Sequence, residues 1–557
     1  MKHITRAVAV AAVLALAATA CNANDKSGPS GGSSAAAEAG GTLQFLSTSK
    51  EINFDPAKSQ NLGTSAIHLI LRGLTAWKTS PDKATELVPD LATDTGQVSD
   101  GGKTWTYKLK PGLKYADGST IVAADIKYGI ERSFAPALSG GLGYHKSLLL
   151  PDGQKYEGPY KGAHLSTVET PDDTTIIFKL NKPFGDWPWI ASMPAFSPVP
   201  QKADTDPAHY GEKPMASGPY QVKSYQPGSK LELERNPNWD KASDPARTGL
   251  PDAFVWQMGL EANTVNQRLI QDAGDDKFAA ATGVSIPAAL IPTVTGNPAV
   301  KARVATSPSG ALEYLAMNNK RPALANPEVR KAIQYAVDKQ AIQVADGGPE
   351  FGGEIATTLI TPGIEGYSKY DAYPTQPQGD PEKAKQMLAA AGVKQLDLVL
   401  AADDQRLEVA QAVQQGLQRA GIKVTIKPYQ TQAFYDLITA DKGDYDLAEA
   451  SWLPDFPSAL GNIQPLFASS EIGKGGYNIS RYSNPAVDSA IAAATAEPDK
   501  AKAAAAWAAL DKQIMNDAPL VPLLYARNAF LHGSKVQNFY LPGYPPYPNT
   551  LIMGLSK

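Results

Sequence analysis

The chain contains one cysteine, Cys21, set directly after a short positive start and a run of small apolar residues. No internal disulfide can form, so packed cores alone must hold the fold. Lys2 and Arg6 followed by AVAVAAVLALAATA make a segment too short to span a bilayer comfortably and suited to the core of an export signal. At 557 residues the chain exceeds the ~250 to 300 residues at which single cores stop growing, so two or three domains are expected. With 43% hydrophobic and 19% charged residues it reads as a globular chain, not a disordered one. The formal charge is -4, or about -6 once Lys2 and Arg6 leave with the signal, and no basic stripe stands out, so no nucleic-acid partner is expected.

Ala18, Thr19 and Ala20 before Cys21 resemble the lipobox of bacterial lipoproteins, with Ala18 where leucine is more usual. The resemblance implies a signal peptide over 1–20, cleavage before Cys21 and diacylglycerol on its sulfur. The chain would then be anchored to the cell membrane on its extracytoplasmic face. The alternative is plain secretion with an incidental cysteine. Residues 21–40 are rich in Gly, Ser and Ala and lack large apolar side chains, the composition of a flexible tether.

Gly41 to Leu46 alternates as a half-buried strand, Asn53 to Ala57 reads as a turn, and SAIHLILRGL from Ser65 to Leu74 has Ile67, Leu71 and Leu74 at helical spacing. Trp105, Tyr107 and Leu109 alternate as a strand, and a helix is expected from Ala123 with Thr120 as its cap. PDLAT from Pro89, the SDGG turn, YKLKPGLKYADGS and AADIKYGIER closely resemble the signature of the bacterial extracellular solute-binding proteins of family 5. That is the peptide-type group of ABC-importer receptors, with oligopeptide-, dipeptide- and nickel-binding members. ASGPYQVKSYQPGSKLELERNPNW from Ala216, the helix from Asn326, the Asp380-capped helix, AGIKVTI, YNISRYSNPAVD and DAPLVPLLY extend the resemblance over nearly the whole mature chain.

The resemblance implies an α/β clamshell of two lobes, the periplasmic-binding-protein-like class II peptide-binding type, with an additional inserted domain. Mapped here, the first lobe comprises 41–76, 211–305 and 518–557, the insert 77–210 and the second lobe 306–517. Partners implied are a small-molecule or peptide ligand and an ABC permease with its ATPase subunits, the receptor itself being a monomer.

Chemistry of other kinds has no visible centre. Gly102, Lys103 and Thr104 nearly spell a phosphate loop, but Gln97 stands where its first glycine is required, so a tight hairpin is expected instead. The six histidines lack metal-ligand spacing, and there is no G-x-S-x-G, so no metal, no cofactor and no catalysis are expected.

Within SWLPDFPSALGNIQPLF, from Ser451 to Phe467, Pro454 and Pro457 make a rigid loop around one acid, Asp455. Beside Trp452 and Phe456, that acid is either an Asx-turn capping its own loop or a site for a ligand cation. The family resemblance implies the second: Asp455 pairs with a peptide's α-ammonium and Trp452 contacts the ligand. Arg406, in ADDQRLEVAQ, is a candidate clamp for the ligand carboxylate, weighed against a surface salt bridge with Asp403 or Asp404. Trp187, Trp189 and the aromatic tail from Leu541 line a cleft or fill core. The expected function is capture of short peptides by clamshell closure. The alternatives are a non-peptide solute (sugar, opine-like compound or metal chelate) or a cell-surface signalling or enzymatic role.

Overall fold

The computed structural model describes residues 37–557 except Asn61, Ser139, Asp152 and Ser309. The expected signal peptide, Cys21 and most of the tether therefore lie outside the described residues. The fold takes hold slightly before Gly41: Glu38 bridges to Leu555, and the Gly40 amide donates to the Leu250 carbonyl at 2.9 Å.

Thr42–Ser47 lies inside a five-stranded sheet whose order is Ala279–Thr282, Thr42–Ser47, Ala253–Gln257, Lys230–Arg235, Tyr220–Gln226. It pairs in parallel with both neighbours, and its faces alternate between two cores: Leu43 and Phe45 pack on one side, Leu46 on the other. A second sheet of six strands runs Glu354–Ile355, Leu520–Tyr525, Leu312–Met317, Leu447–Trp452, Leu396–Asp403, Ile422–Tyr429. Leu396–Asp403 and Ile422–Tyr429 are parallel and joined by the helix Leu407–Arg419, whose Val409, Val413 and Leu417 are buried in the core beneath the sheet. A four-stranded antiparallel sheet, Gln97–Ser99, Thr104–Lys108, Thr175–Lys179 and Val168–Asp172, belongs to the expected insert. The near phosphate loop is its first hairpin, with Ser99 opposite Thr104.

Two chain segments cross side by side between the large sheets. Val304–Thr306 pairs with Ala529–Leu531, and the Ser307 amide donates to the Asn528 carbonyl at 2.9 Å. The architecture is thus the two-lobed α/β fold of periplasmic binding proteins. One strand moves relative to the expected division at 518. Leu520–Tyr525 is buried along its whole length and pairs antiparallel with Leu312–Met317, so it belongs to the second sheet.

Two local expectations are corrected. The helix expected from Ser65 to Leu74 is only Ile67–Ile70. Leu71 turns extended and the Arg72 amide donates to Ser217 Oγ at 3.0 Å, because Arg72 must reach a buried ionic ring. In that ring Arg72 meets Asp90 at 2.7 Å, Arg247 meets Asp90 at 2.9 Å and Asp244 at 3.2 Å, and all four side chains are almost fully buried. Thr120 does not cap the helix Ala123–Ser133; it bridges to Lys114, and the Asp125 carboxylate accepts from the Val122 amide at 3.2 Å. Asp380, by contrast, caps Pro381–Ala390 by accepting from the Lys383 amide at 2.9 Å, and Asn326 caps Pro327–Ala336.

Candidate functional site

A cavity of about 490 Å³ opens where the parallel strands of the first sheet end. Ser47 and Thr282 close their strands there, Trp256 forms part of the floor, and Leu453, Pro454 and Asp455 face them from the loop after Leu447–Trp452. Tyr547, from the C-terminal tail, completes the wall. Ligand crevices of open α/β sheets form outside the carboxyl ends of their strands, and here both large sheets turn such an end toward one space.

Asp455 is half-buried and, among the described residues, receives one hydrogen bond, from Tyr144 Oη at 2.6 Å. Among the described residues no backbone amide of its own loop donates to it; Ser458 instead caps the next helix by accepting from the Leu460 amide. Burial raises its pKa, and the Tyr144 hydrogen bond only partly opposes the rise. Tyr144 comes from the helix Tyr144–Leu149, within the expected insert, and packs edge-on against Phe456, with ring centroids 5.4 Å apart. From the tail, Tyr544 Oη donates to the Pro454 carbonyl. The acid is therefore presented on a loop braced from two sides.

Trp452 ends the preceding strand and does not line this cavity. Its indole Nε1 donates to the Gly461 carbonyl at 2.7 Å. Gly461 lies four residues before Pro465 in the helix Ala459–Phe467, and a proline has no N–H to offer that carbonyl. Trp452 supplies the missing donor, and its ring packs against Tyr477 at 4.8 Å. The residue thus locks the base of the Asp455 loop to the helix that follows.

Arg406 meets neither Asp403 nor Asp404. Its guanidinium contacts Glu313 at 2.9 Å, Asp346 at 3.2 Å and Glu449 at 3.2 Å, while Asp403 accepts from the Gln405 amide and Thr431 Oγ1. Burial raises the pKa of Glu313, Asp346 and Glu449, because one guanidinium cannot offset three acids removed from water. Arg406 is committed to its own lobe and does not line the cavity.

Trp187 and Trp189 are core residues. The tail divides: Tyr544 is buried and Tyr547 reaches the cavity. Tyr144 carried no sequence signal as part of the site, since it lies 311 residues from the acid it holds, and Tyr544, within the aromatic tail already singled out, lies 90 residues from the carbonyl it meets. Among the described residues no group of three or more His, Cys, Asp or Glu is placed to hold a metal ion.

Two lobes joined by paired crossings, with a half-buried acid facing the cleft between them, define a receptor that encloses a solute. The profile described as "Bacterial extracellular solute-binding proteins, family 5 Middle" matches residues 86–474, and the chain belongs to this family. It is 28% identical over 479 residues to the probable D,D-dipeptide-binding periplasmic protein DdpA of Escherichia coli K12, covering 84% of each chain. It is 27% identical over 488 residues to the glutathione-binding protein GsiB of Pectobacterium atrosepticum, covering 85% of each. Among solved structures, the clavulanic acid biosynthesis oligopeptide binding protein 2 superposes with a TM-score of 0.84 at 33% identity, covering 93% of this chain and 96% of that one.

Proposed function

We propose that this protein captures short peptides outside the cytoplasmic membrane and delivers them to an ABC permease, with Asp455 receiving the ligand's α-ammonium. The observation that supports this most is the Asp455 carboxylate itself: half-buried, facing the cavity, and paired with a hydroxyl where a cation belongs. An arriving ammonium supplies that charge, and a charge-assisted hydrogen bond gains strength as closure removes water. Contacts made to both lobes at once favour the closed form, which is the form a permease distinguishes. Trp452 acts by holding the loop, and Arg406 by organising the second lobe.

Cys21 is proposed as the lipidated residue that tethers a monomeric receptor to the membrane. Cys21→Ala is expected to release the protein into the medium or periplasm and to abolish labelling by a radioactive fatty acid; unchanged membrane association overturns the anchor.

Ligand capture is tested by native mass spectrometry of the gently purified protein, followed by denaturation. A series of short-peptide masses that disappears in Asp455→Ala is expected. One non-peptide mass, or peptides retained unchanged in the variant, overturns the ligand class or the role of Asp455 respectively.

A further inference from the structure

The charged groups that line the cavity are all of one sign. Among the described residues two ionisable carboxylates, Glu51 and Asp455, line it, and no lysine or arginine does. Glu51 follows the strand Thr42–Ser47 on the first lobe, while Asp455 belongs to the second, so the two acids approach the ligand from opposite walls. Among the described residues neither has a cationic partner. A third acid, Glu471, is half-buried, equally without an ion pair, and adds its field at Tyr144 beside Asp455. Arg406, the arginine the sequence offered for the ligand carboxylate, is already met by Glu313, Asp346 and Glu449. The remaining polar lining consists of hydroxyls and amides, among them Ser49, Asn53 and Gln60, which serve a neutral backbone and carry no charge.

An ordinary zwitterionic peptide leaves this arrangement doubly unmatched. Its ammonium satisfies one acid, the other stays unpaired, and its carboxylate enters a negative space with no base to receive it. A ligand with a second positive group matches both walls, and like-charge juxtaposition penalises ligands with extra negative charge.

We propose that the cleft selects ligands of net positive charge, short peptides bearing a lysine or arginine side chain, with Glu51 as the residue that recognises the second cation. This rests on the peptide reading of the same cleft and adds Glu51 as its selectivity determinant. Because Glu51 is exposed while Asp455 is half-buried, its contribution is the smaller and the more sensitive to salt.

The test is isothermal titration of the purified full protein, stripped of bound ligand. The probes are Ala-Ala-Ala, the three peptides in which one alanine is replaced by lysine, the best binder's C-terminal amide, and its N-acetylated form. The best lysine peptide is expected to bind roughly tenfold more tightly than trialanine, and amidation is expected to preserve or improve its affinity. In Glu51→Gln the lysine-over-alanine ratio should fall roughly fivefold; in Asp455→Asn affinity should fall for both peptides with the ratio kept. At 0.5 M salt the ratio should shrink in the parent protein and hardly change in Glu51→Gln.

Equal affinity for trialanine and every lysine peptide overturns the proposal while leaving peptide capture intact. So does a ratio unmoved by Glu51→Gln, or a roughly tenfold loss on amidation, which reveals a base for the carboxylate. An N-acetylated peptide that binds as well as the free one overturns the Asp455 assignment instead. Failure of every peptide to bind overturns the peptide reading, and the selectivity proposal with it.

Discussion

The ring of Arg72, Asp90, Asp244 and Arg247 and the loop of Asp455 both bring carboxylates out of water, and they do so in opposite ways. In the ring two cations meet two anions, and further donors go to the Ser243 carbonyl and hydroxyl. Burial pushes the pKa of Asp244 up, yet Arg247 and Arg72 overcome it and hold the group down to about 2. At the loop, burial also raises the carboxyl, and Tyr144 alone opposes it. Charge closed within the chain fastens Asp90 to the segments that carry Arg72 and Arg247; charge left open at Asp455 is what the proposed ligand cation would meet. The same comparison separates Arg406, an arginine surrounded by acids, from a group free to grip a ligand.

The largest effect expected is on the ring. Asp90→Ala leaves two buried guanidinium groups with one acid between them and should lower stability by about 3 to 5 kcal/mol, read as the midpoint shift in urea unfolding. A shift under about 1 kcal/mol would show that water replaces the carboxylate readily.

Asp455→Asn should do the reverse. Removing a half-buried acid that lacks a cation should leave the ligand-free protein as stable or slightly more so at pH 7. Peptide affinity should meanwhile fall by about 2 kcal/mol or more, roughly thirtyfold. The signs also differ with pH. Asp244, held low, contributes stability that is present above its unfolded pKa and lost as pH falls through about 2. Asp455, held high, opposes the native state once ionised, so its cost appears as pH rises through its raised pKa. Ligand binding follows the ionised form and should weaken as the solution is acidified below that pKa, in the parent and not in Asp455→Asn.

Tyr144→Phe sharpens the comparison by removing the one donor on Asp455. The carboxyl pKa should rise further, moving the acid limb of the peptide-binding profile to higher pH, with a stability loss of about 1 kcal/mol. A binding profile unchanged in pH would mean the hydroxyl only fills space. The smallest effect is expected for Trp452→Phe, which keeps an aromatic ring against Tyr477 but orphans the Gly461 carbonyl. A loss of about 1 kcal/mol, with faster hydrogen exchange along Ala459–Phe467, is the outcome that supports its locking role.

Much of the fold was legible because its signals are local. Asp380 and Asn326 cap helices within three residues of themselves, and Ser99 to Thr104 closes a hairpin on adjacent residues. The errors occur where distant partners override local pattern. Ile67, Leu71 and Leu74 have helical spacing, but Arg72 is claimed by Asp90 and Ser243, and a Cβ at Gly73 would sit 3.2 Å from the Ala191 carbonyl oxygen. At the site, Asp455 stood out through its flanking prolines, whereas Glu51 lies between the first strand and the turn from Asn53, where no pattern singles it out. Arg406 was visible as a base next to Asp403 and Asp404; its actual partners lie 43 to 93 residues away and could not be read from spacing.

The position of Thr42–Ser47 has a consequence for the order in which the molecule assembles. This first strand pairs on both sides with strands that begin at Ala253 and Ala279, more than two hundred residues later. A chain emerging from its N-terminus therefore holds a central strand with two vacant edges until nearly half its length has followed. The four-stranded antiparallel sheet, whose strands pair among themselves, is complete much sooner. Folding from the N-terminus should thus begin with that sheet, and the five-stranded sheet closes around its own central strand only afterwards.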